Sequence, residues 1–210
     1  RGVWLRDLRG LARYPSSRLV RMALLAVLLA ALAHAGVGAL RNAAADRIAQ
    51  PARDRLAAWS GAQPIAPDAV AWKGAYDALR RARAIAPHDP DLALDLGLLL
   101  RVRAQSSARV PALAETLLVE ALEAFRDAVR LRPVSPFAWA NIAYAQHLRL
   151  HSGTLALAAQ ARAAAEGERA RALERALRYG PNEPAIRRIV RQIASPPARI
   201  IAAPGGPPAR

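Results

Sequence analysis

His147 and His151 stand four residues apart. On a helix that spacing puts both imidazoles on one face, where two histidines can share a divalent metal. Nothing joins them as a further ligand. The chain has no cysteine, and the nearest acid downstream in sequence is Glu166. Glu123 and Asp127 repeat the four-residue spacing with carboxylates, but Arg126 and Arg130 sit beside them. That pattern predicts a solvated charged face rather than an acid–base pair. The sequence has no glycine-rich phosphate loop, no Gly-x-Ser-x-Gly elbow and no His-Glu-x-x-His motif. These residues predict no enzyme, no bound metal, no cofactor and no small-molecule substrate. A surface that binds another macromolecule is what remains.

Charge alone would suggest nucleic acid. The 210 residues include 31 Lys and Arg against 16 Asp and Glu, for a net charge of +15. All the basic residues but Lys73 are arginine, and they are spread along the whole chain. Only 5% of residues are aromatic, so platforms for stacking bases are scarce. No nucleic-acid partner is expected. The Arg and Ala bias reads as that of a GC-rich bacterial gene. The absence of cysteine excludes disulfides and thiolate metal sites and leaves the redox compartment open.

The elements that would position a surface begin with an apolar run. Met22 to Leu40 is nineteen residues without a charge. As a helix it would be roughly 28 Å long, close to the hydrocarbon thickness of a bilayer. Arg18, Arg21 and Arg41 flank it, where their stems can snorkel. Six Arg and one Asp precede the run, and four Arg and two Asp lie in residues 41–55, which places the N-terminus in the cytoplasm. A cleaved signal peptide is a rival reading, because Ala33-His34-Ala35 resembles a small-x-small site, and a buried core helix is another. The long basic lead favours a retained span. His34, polar at depth, is expected to face a partner helix or the outer interface.

Around the span, residues 1–17 form a basic lead. Trp4, Leu5, Leu8 and Leu11 share one face of a possible interfacial helix, opposite Arg6, Arg9 and Arg13. Residues 18–41 are the transmembrane helix, and residues 42–67 a linker in which the helix stops at Pro51 and a short helix runs from Arg53 to Ser60. Gly61–Pro67 reads as a loop. Residues 68–194 are a helical domain, and residues 195–210, rich in Pro and Gly, a mobile tail.

The helical domain is organised by one stretch used three times. It runs from Ala82 to Pro87 and Pro90, from Ala128 to Pro133 and Pro136, and from Ala176 to Pro181 and Pro184. The copies are 46 and then 48 residues apart. The first proline comes just past a helix that it cannot continue, and the second suits the first turn of the next. The small alanine allows two helices to approach. The pattern predicts helices over 69–86, 91–103, 112–130 and 137–150, one ending near Tyr179, and a last one carrying Ile186, Ile189, Val190 and Ile193 on one face. In the first, Val70, Trp72, Tyr76, Leu79 and Ile85 are the expected apolar stripe, with Asp68 as N-cap. Gln105–Pro111 and His151–Leu155 read as insertions.

The joints resemble the tetratricopeptide repeat. Ala121, Phe125, Ala128 and Pro133 match its small-aromatic-small-Pro signature, and Trp139, Ile142 and Ala143 match its first-helix positions. Ala75, Leu79, Ala82 and Pro87, then Leu96-Gly97 and Leu100, follow the same spacing. The third copy keeps Leu173, Ala176 and Pro181 but has Arg169 where a small residue belongs. The family period is about 34 residues, so each unit here carries about 12 to 14 more. The runs Leu131–Asn141 and Ala172–Pro184, with one N-terminal span, are also similar to small membrane-anchored repeat proteins of bacterial exopolysaccharide operons, although Asn182 replaces an expected aromatic residue.

The resemblance implies an all-α fold, one transmembrane helix followed by a solenoid of helical hairpins whose first helices line a concave groove. Leu94, Asp95, Leu98, Arg101, Asn141, Tyr144, His147 and Leu148 would then point into that groove, with Tyr144 and Asn141 exposed there to recognise a peptide or protein. The plainer reading is that Leu98, Tyr144 and Leu148 only pack between repeats. The expected function is a non-enzymatic scaffold of a bacterial inner-membrane polysaccharide synthesis or export apparatus, with its repeats in the periplasm. An accessory or assembly subunit of another membrane complex, respiratory, photosynthetic or for cytochrome maturation, is the alternative.

Overall fold

The structure is a computed structural model that describes residues 17–60, 67–151 and 159–194. The basic lead, most of the Gly61–Pro67 loop, most of the second insertion and the Pro/Gly tail lie outside the described residues. Among those described there are seven helices and no strands: α1 (Ser17–Ser60), α2 (Ala69–Ile85), α3 (Pro90–Ser106), α4 (Pro111–Leu131), α5 (Pro136–His151), α6 (Ala159–Tyr179) and α7 (Pro184–Ala194). The chain divides into two units, residues 1–44 and residues 45–210, with the boundary inside α1.

In the first unit α1 carries the apolar run. Met22, Leu24, Leu28, Leu32 and Leu40 are all exposed, and no part of the most apolar window is buried in the chain. The core-helix reading therefore fails. The helix is long and apolar enough to cross a membrane.

The second unit begins with the remainder of α1, and here the sequence reading needs correction. The helix does not stop at Pro51; it passes through that residue to Ser60 as one element. Ala45, Ala49, Ala52, Leu56 and Trp59 recur at helical spacing and are all buried, in the same core cluster as Leu79, Leu92, Leu99 and Phe125. An interior proline costs about 3 kcal/mol through its missing N–H and its ring. Burial of Leu56 and Trp59 alone offsets that, at about 1.5–3 kcal/mol for each large apolar side chain. The expected linker is thus the first core helix of the unit.

The three joints share one backbone. After α2, Ala86 N–H donates to Ala82 and Asp89 N–H to Ala86, at 2.9 and 3.2 Å. Arg132 to Ala128 and Ser135 to Arg132 repeat this at 2.8 and 3.1 Å, and Gly180 to Ala176 and Glu183 to Gly180 at 2.9 and 3.3 Å. Each pair closes one helix and turns the chain, and Pro90, Pro136 and Pro184 open the next helix where no N–H is needed. Ala82, Ala128 and Ala176 are buried, as close approach requires. Side-chain caps complete three helix starts: Asp68 accepts from Ala71 N–H, Asp89 from Asp91 and Leu92 N–H, and Ser135 from Ala138 N–H.

Packing follows chain order. α2 lies on α3, α3 on α4, α4 on α5, α5 on α6, and α7 returns to α5. Cross-ties also join alternate helices. Arg53 of α1 donates to Asp95 of α3 at 2.6 Å, and Gln105 of α3 to Tyr144 of α5 at 3.2 Å. Arg83 of α2 pairs with Asp127 of α4 at 2.7 Å, and Arg126 of α4 grips Glu168 of α6 with two bonds of 2.9 and 2.7 Å. These four ties each span two helices in the order, beside the ties between neighbours such as Arg149 of α5 to Glu115 of α4.

Phe125 is the keystone of the α3–α4 contact. Its ring is completely buried, and a Cβ on Gly97 would come within 2.5 Å of it. Only glycine lets the two backbones close on the ring. One expected stripe residue is misplaced: Val70 is 83% exposed. It lies two residues, about 200°, around the helix from Trp72, so it cannot share the face of Trp72, Tyr76 and Leu79.

Candidate functional site

α5 is buried nearly all round. From Ala138 to His147 every residue except the half-buried Trp139 is inside. The many alanines make this possible, since α3, α4, α6 and α7 can all approach the helix. Three polar side chains are carried in with it: Asn141 and His147 at 4% exposure and Gln146 at 2%.

This corrects the expectation that Asn141 and Tyr144 stand exposed in a groove. Both are buried, with Tyr144 at 8% exposure, and so is His147. The plainer reading holds for Tyr144, whose hydroxyl receives Gln105 and whose ring lies 5.1 Å below the Arg101 guanidinium carbon. On α3, Leu94, Asp95, Leu98 and Arg101 are half-buried, as is Leu148 on α5. Asp95 is held by Arg53, yet burial pushes its carboxyl above the usual range against the pull of that pair. The sequence-derived residues thus divide. Leu94, Leu98, Arg101 and Leu148 remain reachable, Asp95 is bound to α1, and Asn141, Tyr144 and His147 form the floor beneath.

That floor is a run of stacked rings. Tyr144 and His147 are 6.2 Å apart at 12°, and His147 and His151 are 4.2 Å apart at 36°. His151 Nδ1 lies 2.8 Å from the His147 carbonyl oxygen. Burial, then the charges of His151 and Arg169, push the His147 imidazole down to about 4, so it is neutral at pH 7. No group of three or more His, Cys, Asp or Glu among the described residues could hold a metal.

Among the described residues, three side-chain atoms are buried without a hydrogen-bond partner: Arg101 Nε, Asn141 Oδ1 and His147 Nδ1. Asn141 satisfies its amide through Phe137 O at 2.9 Å but not its oxygen. Gln146 differs. It donates to Glu168 at 2.5 Å and accepts from Arg149, which also pairs with Glu115. This network locks α4, α5 and α6 together. Burial alone would raise the Glu168 carboxyl, but Arg126 and Gln146 hold it below the usual range.

On the even-helix side, a cleft of about 600 Å³ is floored by Val129, Trp139 and Ile142 and rimmed by charges that include Arg126 and Glu168. The Glu123/Asp127 pair lies here. Asp127 is held by Arg83 and Arg130, so these acids serve a charged face, with a cross-helix tie that the local spacing did not reveal. The sequence reading passed over Gln105 as part of an insertion and treated Arg169 only as a departure from the repeat. Compared with known proteins, the chain matches no family model, no curated protein and no solved structure.

Proposed function

We propose that the chain is a non-enzymatic, single-pass membrane scaffold whose hairpins stack as tetratricopeptide-like repeats and bind a protein partner. The observation that carries this is the joint used three times with the same hydrogen bonds, each feeding a helix that opens on proline. Recurrent joints and cross-ties between alternate helices are how a stack of hairpins builds an extended surface. In this reading α1, α3 and α5 present the working face, and Leu94, Leu98, Arg101 and Leu148 are its reachable part.

The exposed apolar run of α1 supports a membrane anchor, and the arginine excess before it supports a cytoplasmic N-terminus with the hairpins in the periplasm. The motifs around Pro133 and Pro181 support a place in a polysaccharide synthesis or export apparatus of a bacterial inner membrane. The test is recovery of partners from native membranes in mild detergent. Leu98→Glu with Leu148→Glu should lose a partner that the wild-type chain recovers while keeping its helicity and melting temperature. Full recovery by the double variant would remove this face from the account. Recovered subunits of a respiratory, photosynthetic or cytochrome-maturation complex would replace the polysaccharide assignment.

A further inference from the structure

Six arginines on α2 to α6 are answered by acids. Arg83, Arg126, Arg130, Arg149, Arg162 and Arg178 each pair with a carboxylate. Arg101 has no hydrogen bond or ion pair among the described residues, and its Nε is out of reach of solvent. Its neighbour is the Tyr144 ring. Arg169 also has no hydrogen bond or ion pair among the described residues, and it lies near enough to His147 to disfavour the protonated imidazole. Arg101 of α3 and Arg169 of α6 thus each lie beside the run of Tyr144, His147 and His151 rings on α5, and neither pairs with an acid among the described residues. Asn141 Oδ1 and His147 Nδ1, both on α5, are likewise buried without a hydrogen-bond partner. A buried cation without a counter-ion is costly, and the fold keeps one here.

We propose that this basic cluster is a carboxylate-binding site, with Arg101 as the principal counter-ion for an acidic group on the protein partner. The proposal rests on the scaffold reading given above and names the chemistry of the contact. A guanidinium stacked over a ring keeps its in-plane N–H groups for a planar acceptor, and a carboxylate meets two of them at once. On a protein partner the carboxylate comes from an Asp or Glu side chain or from a free C-terminus. Arg169 adds a second positive charge.

The test uses the full chain in detergent micelles and the variant Arg101→Met, which keeps the length of the side chain and removes its charge. Without ligand, the variant should melt higher than the wild-type chain, because an uncompensated cation has gone. Fluorescent hexapeptides are the probes: alternating Ala and Glu with an amidated end, all-Ala with a free carboxyl end, and all-Ala amidated. At least one carboxylate-bearing peptide should bind the wild-type chain, and the neutral one should not. Arg101→Met should weaken that binding about tenfold or more. The Glu peptide and the free-ended peptide tell the two sources apart. A lower melting temperature for Arg101→Met would make Arg101 a structural residue and overturn the proposal. So would failure of both carboxylate peptides, equal binding by the variant, or stronger competition by inorganic phosphate than by acetate. If the site binds peptide through Arg101 but Leu98→Glu/Leu148→Glu still recovers every partner, the site stands and the scaffold face does not.

Discussion

His147 shows how one side chain can matter more for its surroundings than for its motif. Its spacing from His151 is compatible with a shared metal, but the structure buries it beside a stacked Tyr144 ring and a tilted His151 ring. Its imidazole titrates at about 4 in the fold against about 6.5 in an unfolded chain. The unfolded state therefore binds the extra proton first, and stability falls as pH drops from about 6.5 to about 4. The full effect is about 3 kcal/mol. His147→Gln should flatten the melting temperature across that window. A variant with an unchanged acid-side slope would locate the titration elsewhere. Arg169 carries a related lesson. A sequence can show that the residue breaks the small-residue pattern, but only packing brings it to the histidine pair. Asn141 and Tyr144 were expected to stand exposed, and both are buried. Local spacing names a face of a helix and is silent on how many other helices cover it.

Element boundaries were largely legible, because the prolines, alanines and Asp68 act locally. The observed α2, α4 and α5 begin and end within about one residue of the spans read from sequence. α1 was not legible in the same way. Pro51 argues locally for a stop, and what carries the helix past it is burial of Ala52, Leu56 and Trp59 in a core assembled from distant sequence. The proline is exposed and fills no packing role, so Pro51→Ala should raise stability, by up to about 3 kcal/mol, seen as a higher melting temperature. A fall would show that the ring itself is needed. At the α3–α4 contact the opposite holds. Phe125→Ala should cost about 3–5 kcal/mol. Gly97→Ala should cost about 1–3 kcal/mol by driving a methyl into the ring. The Gly97→Ala cost should largely vanish in the Phe125→Ala background, a coupling that thermal melting of the double variant measures. Additive losses would separate the two residues.

At the scale of the molecule, an apolar helix long enough to cross a bilayer is followed by an all-helical unit, for which we propose a stack of hairpins. The hairpin order was readable from the 46- and 48-residue spacings, whereas the cross-ties Arg53–Asp95, Arg83–Asp127 and Arg126–Glu168 were not, because each links side chains more than forty residues apart. The proposed orientation is testable: a periplasm-only reporter placed after Arg210 should be active, and activity of a cytoplasm-only reporter there would invert the topology. The central claim, that the odd-helix side meets a protein partner, is tested most directly by photo-crosslinking in native membranes. A photoreactive residue at Leu98 of α3 should give a discrete crosslinked band, and one at the exposed Val119 of α4 should give none. A band from Val119 and silence from Leu98 would contradict the account.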